Sequence, residues 1–332
     1  MAIGAKTMEQ LLGTDTSVRE FHLYQSLARF TPADINDWLH TEGGIVGQDA
    51  AVRAVSSALY SHFHFPLRPK QNLLLVGSTG CGKSEIMRAV QRFFDVNLGQ
   101  TMGPKFVRTC DGSQLNASGW RGGVKLGDVL RNVKMPFGAM LFIDEFDKVC
   151  SERYAGGDNG SWSVSEMIQS QLLTTLDHQV VQLSGDDGQP FTVDCQRLSI
   201  ICMGAFTSVL EKKRRRNERR SIGFSSAVTD AAESASELSP QDLDMMPEIF
   251  GRLQPIEMSP VSQDMMLDIA NRQVKTLCDT MELHITVPEE KLRLWAEEAF
   301  SSGLGGRGIM KKLQTALDEQ IFEDPCRDMY IL

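Results

Sequence analysis

An α/β fold, a parallel sheet flanked by helices and followed by a smaller, mainly helical domain, is predicted from three observations on the sequence. Short apolar runs recur near 72–76, 105–109, 139–143 and 198–202, with helical patterns between them near 85–94, 124–134 and 164–177. Such alternation marks parallel strands joined by crossover helices. After Pro255 the pattern changes: helical segments near 261–280, 288–301 and 307–322 surround one short strand near 284–287. The third observation is the glycine-rich stretch Gly77-Ser78-Thr79-Gly80-Cys81-Gly82-Lys83-Ser84, set between the first strand and the first crossover helix. The expected organisation is an N-terminal extension over 1–30, a large domain over 31–255 and a small helical domain over 256–332.

The bulk numbers agree with this size and class. A chain of 332 residues with 42% apolar and 23% charged content can bury a sizeable core. A net charge of −9 argues against wholesale binding to duplex DNA or anionic lipid. No run approaches 18 apolar residues, so no membrane span is expected, and Met1 to Lys6 lacks the apolar core of a signal peptide. Seven scattered cysteines without a C-x-x-C pair read as reduced thiols, which suits a cytoplasmic location. Within 31–255, Thr31-Pro32-Ala33-Asp34 predicts a helix start, with Thr31 as N-cap and Pro32 at the first helical position. The stretches 151–163 and 211–240 read as loops.

The glycine-rich stretch fits the phosphate-loop pattern G-x-x-x-x-G-K-[ST] in the strand–loop–helix context that the pattern requires. Gly77, Gly80 and Gly82 let backbone N–H groups, with those of Thr79 and Cys81, close around phosphate oxygens. Lys83 reaches the β/γ-phosphates of ATP, the Ser84 hydroxyl is a ligand for Mg²⁺, and the new helix adds its N-terminal dipole. Leu141-Phe142-Ile143-Asp144-Glu145 is an apolar strand that delivers two carboxylates at its C-terminal end, the Walker B form. Asp144 suits a second Mg²⁺ contact and Glu145 suits orienting the attacking water. Phosphoryl transfer also needs positive charge near the γ-phosphate. Arg252, in Gly251-Arg252-Leu253, and Arg307, in Gly305-Gly306-Arg307-Gly308, are candidates, although either could be a structural ion-pair partner.

Taken together these segments resemble the ClpX/HslU branch of the AAA+ unfoldases, and within it the ClpX family most closely. Ile45-Val46-Gly47-Gln48 is similar to the adenine-pocket segment, which assigns Val46 and Gly47 to the nucleotide. Gly204-Ala205-Phe206 is similar to the branch's Gly-Ala-Phe, Pro247-Glu248 through Gly251-Arg252-Leu253 to its arginine-finger box, and Gly306-Arg307-Gly308 to its sensor-2 turn. The resemblance runs from about 31 to 322 and implies an AAA+ P-loop NTPase that works as a homo-hexamer. It further implies that Arg252 contacts the nucleotide of the neighbouring subunit and Arg307 that of its own.

The resemblance also gives roles to two loops. Ser118-Gly119-Trp120-Arg121-Gly122 occupies the place of the pore loop, with Trp120 for the usual tyrosine; Gly119, Trp120, Arg121 and Gly122 would then grip unfolded or tagged protein substrates. Tyr154 and Trp162 lie where the second pore loop falls. Ser221-Ile222-Gly223-Phe224 matches the loop on which the family carries the Ile-Gly-Phe that docks on a ClpP-type peptidase ring, assigning Ile222, Gly223 and Phe224 to that partner. The basic run 212–220 ahead of it reads as a solvated loop. Two departures stand out. The first 80 residues hold no cysteine and hence none of the family's four-cysteine zinc domain, and the sensor-1 position reads Cys202-Met203-Gly204, with Thr207 and Ser208 as possible substitutes. The functional expectation is an ATP-dependent unfoldase; the alternatives are a remodeller acting without a peptidase and a nucleic-acid-associated motor, the last disfavoured by charge and by the aromatic pore segment.

Overall fold

The computed structural model describes residues 26–65, 68, 70–99, 106–117, 123–131, 139–151, 154–157, 160–184, 187–207, 209–211, 238–327 and 329–332. Helix α1 (Pro32–His40) begins where the sequence predicts. The Thr31 hydroxyl accepts from the Asp34 N–H at 3.2 Å and an Asp34 carboxylate oxygen accepts from the Thr31 N–H at 2.8 Å, a reciprocal cap with Pro32 in the first turn. These bonds hold the Asp34 carboxyl below its ordinary range. Helix α2 (Asp49–His64) leads to strand β1 (Leu73–Val76), and the glycine-rich loop then opens α3 (Lys83–Leu98).

The chain continues through β2 (Val107–Asp111), the two-residue strands β3 (Leu115–Asn116) and β4 (Val124–Lys125), α4 (Leu126–Leu130), β5 (Ala139–Asp144) and α5 (Phe146–Cys150). A hairpin of β6 (Tyr154–Gly157) and β7 (Gly160–Ser163) precedes α6 (Val164–Leu176). A second hairpin, β8 (Val180–Ser184) and β9 (Pro190–Asp194), precedes β10 (Leu198–Gly204). The short α7 (Pro247–Phe250) and β11 (Gln254–Glu257) follow. The C-terminal region holds α8 (Gln263–Met281), β12 (His284–Thr286), α9 (Glu289–Ser301), α10 (Gly306–Glu323) and β13 (Met329–Ile331).

Five parallel strands form the sheet, in the order β11-β1-β10-β5-β2. Alternate residues of each strand serve opposite faces. Leu73 and Leu75 of β1, Met140 and Phe142 of β5, and Ile201 and Met203 of β10 join one core with α1, α2 and α3. Leu74 and Val76, Leu141 and Ile143, and Ile200 and Cys202 join a second core with α4, α5, α6 and the β8–β9 hairpin. Both faces are covered, so strands such as Ala139 to Ile143 read as continuous apolar runs. A third core, around Leu292, Trp295, Leu313 and Tyr330, belongs to α8 to β13 alone. No described helix is long and apolar enough to cross a membrane.

Four expectations change. The strand expected at 105–109 lies at Val107–Asp111, because pairing with β5 sets Asp111 level with Asp144. The helix expected over 124–134 begins later, at Leu126, since Val124 and Lys125 pair with β3; residues 132–134 lie outside the described residues. The stretch 151–163 contains a hairpin rather than only loop. The seam expected at 255/256 cuts through β11, whose Gln254 to Glu257 pair with β1; Met258 still belongs to the first core. Helix α2, the β8–β9 hairpin and β13 occur where the sequence pattern predicts no element.

At the C-terminal edge of the sheet the backbone of Gly112 lies against the end of β5, donating its N–H to the Asp144 carbonyl at 2.7 Å. A Cβ at 112 would stand 2.8 Å from the Glu145 carbonyl oxygen and 2.9 Å from that of Asp144. Neither backbone oxygen can move without disturbing the two carboxylates. Gly112→Ala is expected to destabilise the fold by about 1–3 kcal/mol, read as a lower denaturant midpoint with an unchanged slope.

Candidate nucleotide site

The loop 77–82 leaves β1 at the C-terminal edge of a parallel sheet, where ligands of such sheets bind. Its first N–H, of Gly77, donates to the Gly204 carbonyl at the end of β10 at 3.2 Å. Gly80 (φ +83°) and Gly82 (φ +102°) adopt the left-handed region that side chains disfavour, and Gly82 is the N-cap of α3. Thr79 and Gly80 are exposed while Gly77 and Cys81 are buried, so the loop is anchored at its base and open at its crest. The Lys83 ammonium curls back over the loop, donating to the carbonyls of Gly77 and of Ser78, the latter at 2.9 Å.

The Ser84 hydroxyl donates to a carboxylate oxygen of Asp144 at 2.7 Å. This bond joins the two motifs read separately in the sequence. The other Asp144 oxygen accepts from the Glu145 N–H at 2.9 Å. Glu145 turns through the left-handed region (φ +50°) as the N-cap of α5, and its side chain is exposed. One hydroxyl and one carboxylate side by side suit a small, hard cation that takes its remaining ligands from phosphate and water. No cluster of three or more potential metal-ligating side chains occurs among the described residues, so an all-protein metal cage is not formed there.

Gln48 is a residue whose part the sequence did not disclose. It is 6% exposed, has φ +63°, and follows Gly47, also at φ +63°. Its amide nitrogen donates to the Cys81 carbonyl in the phosphate loop at 3.0 Å and to the Ser259 carbonyl at 2.7 Å, while its amide oxygen accepts from the Ser259 N–H at 3.0 Å. One side chain therefore ties the Val46–Gly47 segment, the loop and the chain leaving β11. Met265 of α8 covers Gly47: a Cβ there would lie 2.2 Å from the Met265 methyl. Val46 is half-buried beside it. A second tie runs from Arg272 of α8, which donates to the His40 carbonyl at 2.6 Å.

The start of α10 also meets the loop. A Cβ on Gly305 would lie 3.1 Å from the Gly80 carbonyl oxygen, so the glycine permits this approach. Arg307, the second residue of α10, is exposed. Arg252 lies elsewhere. Gln254 is level with Leu73, four residues before Gly77, and Arg252 precedes Gln254. It thus sits at the N-terminal edge of the sheet, more than about 13 Å along the strands from the loop, beyond the reach of its side chain. There it forms a two-point ion pair with Asp177, through Nε to Oδ1 and Nη2 to Oδ2, the latter at 3.1 Å. The hydrogen bonds draw the Asp177 carboxyl below and the Arg252 guanidinium above their usual ranges. Nothing in the spacing of residues 177 and 252 announces this pair.

The sensor-1 position carries no polar side chain: Cys202 and Met203 are buried. Instead Asp147 of α5 accepts from the Ala205 N–H at 3.1 Å, fixing the turn after β10. Thr207 lines a cavity of about 210 Å³ with Asp147, Lys148 and Asp244; Ser208 lies outside the described residues. Gly119, Trp120, Arg121 and Gly122 also lie outside them, between β3 and β4, whose pairing of Leu115 with Val124 closes the neck of that segment. Tyr154 and Trp162 fall on the β6–β7 hairpin. Ile222, Gly223 and Phe224 lie outside the described residues.

Comparison with known proteins agrees with this geometry. Residues 73–225 match the family model described as ATPase family associated with various cellular activities (AAA). The chain is 24% identical to a Porphyromonas gingivalis protein named ATP-dependent Clp protease ATP-binding subunit ClpX, over 89% of this chain and 78% of the relative. Proteins of the same name from Bacteroides thetaiotaomicron and Bacteroides fragilis are each 25% identical, over 89% and 90% of this chain and 77% and 78% of theirs. The family match starts at the first residue of β1 and takes in both carboxylates, and over most of its length the chain is similar to the ClpX proteins.

Proposed function

We propose that this chain is one subunit of a homo-hexameric, ATP-dependent unfoldase whose hydrolytic sites are shared between neighbours. The observation that supports this reading is that Arg252 lies at the sheet edge opposite its own phosphate loop and out of reach of it, so that a role in hydrolysis would be toward the nucleotide of another copy. Arg307, two residues after the Gly305 that approaches Gly80, would serve the nucleotide of its own chain.

In the proposed site the loop N–H groups and the α3 dipole bind the phosphates, and Lys83 exchanges its two loop carbonyls for phosphate oxygens. Ser84 and Asp144, already in contact, would hold Mg²⁺, which neutralises charge on the β- and γ-phosphates. Glu145, exposed at the end of β5, orients the attacking water and takes up its proton. A neighbour's Arg252 stabilises the charge that builds up in the transition state, a contribution of roughly 10³–10⁵ in rate for such arginines. Val46 and Gly47, under Met265, flank the base.

The output is motion. Gln48 ties the nucleotide loop to Ser259, ahead of α8, and Gly80 lies against Gly305 at the start of α10, so a change at the phosphates would reach the C-terminal region through packed groups. Trp120 would then drag an extended polypeptide through the ring, and Ile222 to Phe224 would seat the ring on a ClpP-type peptidase in the cytoplasm. The large domain would run from 31 to about 258 and the helical domain from there to 332.

Glu145→Gln is expected to bind ATP normally and to lose hydrolysis, as measured by nucleotide retention and phosphate release; undiminished turnover would remove Glu145 from its role. Trp120→Ala should keep ATPase activity and lose unfolding of a tagged fluorescent protein, and normal unfolding would exclude the pore grip. Deleting Ile222 to Phe224 should abolish co-elution with a ClpP-type ring while preserving ATPase and unfolding activity. If the undeleted protein does not co-elute either, the chain is a remodeller that works alone.

A further inference from the structure

We infer that Asp177 is a positioning residue for the Arg252 finger, clamping one edge of the guanidinium so that its other edge is presented to the neighbouring copy's nucleotide. The inference rests on the reading that Arg252 acts in trans, and it extends that reading to a residue outside the nucleotide motifs.

The geometry points to this by counting donors. A guanidinium carries five N–H groups in one plane. Asp177 takes Nε–H and one N–H of Nη2, and the Glu248 carbonyl takes one N–H of Nη1 at 2.7 Å. Two N–H groups have no acceptor among the described residues, one on each terminal nitrogen, and a pair of this kind fits two oxygens of one phosphate. Asp177 therefore orients Arg252 without exhausting it. A clamp that consumed every donor would be an inhibitory latch; this one leaves a fork.

Both anchors are tied to the backbone. Asp177 is the C-cap of α6, its N–H donating to the Leu173 carbonyl at 3.1 Å, and Glu248 lies one turn before Arg252 in α7. The two helices pack together in the second core through Ile249, Ile168, Leu172 and Leu176, and the Met246 N–H donates to the Gln169 side chain at 2.9 Å. The clamp is thus built on a rigid helix pair. The ion pair itself is about one-third exposed on each side (35% for Arg252, 31% for Asp177), which limits its value for stability. Its consequence is geometric: it fixes a long side chain before the neighbour's nucleotide arrives, and misplacement by about 1 Å can cost roughly 10²-fold in rate.

The test is steady-state ATP hydrolysis by assembled protein. Asp177→Ala should lower kcat by roughly ten- to a hundred-fold with KM for ATP little changed, because the variant subunit's own phosphate loop is intact. Asp177→Glu should recover part of the rate, and Asp177→Ala combined with Arg252→Ala should be no slower than Arg252→Ala alone. Mixing supplies the readout that a structural defect would not give. When Asp177→Ala subunits are mixed with excess Glu145→Gln subunits, hydrolysis per Asp177→Ala subunit should rise toward the unmodified rate, since the partners donate clamped arginines. If the alanine variant fails to assemble, the isosteric Asp177→Asn carries the same measurements. A slow Arg252→Ala with a full-rate Asp177→Ala would overturn the positioning role alone; a full-rate Arg252→Ala would overturn it together with the trans reading. A defect in Asp177→Ala that mixing does not relieve assigns the residue to folding of its own subunit and also defeats the proposal.

Discussion

The structure depends on the burial of β1 between β10 and β11 in an all-parallel sheet. Leu73 to Val76 are fully buried on both faces, and their ladder partners run in the same direction on both sides. This one constraint defines two ends. At the C-terminal end the phosphate loop, the β10 exit at Gly204 and the β5 carboxylates converge, since all three strands finish together. At the N-terminal end Arg252 enters β11 and meets Asp177. A parallel sheet thereby separates Arg252 from the phosphate loop of its own chain by the length of the strands.

Around the loop, short polar contacts do the joining. Ser84 and Asp144 bring the two motifs within one hydrogen bond, while Gln48 uses one buried amide to hold the loop, the segment before α2 and the chain beyond β11. A buried amide with unmet partners costs more than a met pair gains, so the Gln48 contacts act as a single unit. Gly80 and Gly305 allow two backbones to meet where any side chain would intervene. The nucleotide loop thus touches the start of α10 at Gly305 and, through Gln48, the chain that leads into α8.

Much of the fold is legible in the sequence because the strongest elements carry local signals. The capping box at Thr31 and Asp34, the apolar run 139–143 and the glycine pattern at 77–84 are each specified within a few neighbouring residues. The elements that escape are those whose pairing is non-local. The edge strand Gln254–Glu257 is mostly exposed and contains Pro255, so it does not read as a strand; β1 makes it one. The β6–β7 hairpin carries glycine and serine, which read as loop until the antiparallel partner is present. In the site, Ser84, Asp144 and Glu145 follow from motif spacing, whereas Gln48 and Asp177 act through partners 33, 75 and 211 residues away and leave no local pattern.

The sequence alone points to the chemistry available: a glycine loop suited to phosphates, a hydroxyl and carboxylates suited to a hard cation and a water, and two arginines that are candidates for developing charge. It could do so because phosphate binding demands particular residue types at fixed short spacings. Which of these groups come together is a matter of tertiary contacts. Ser84 meets Asp144 because parallel pairing aligns the ends of β1, β10 and β5, the start of α10 approaches the loop at Gly305, and Arg252 lies away from the loop because β11 carries it to the opposite edge. That partition is set by strand direction and register, which arise from contacts between distant segments.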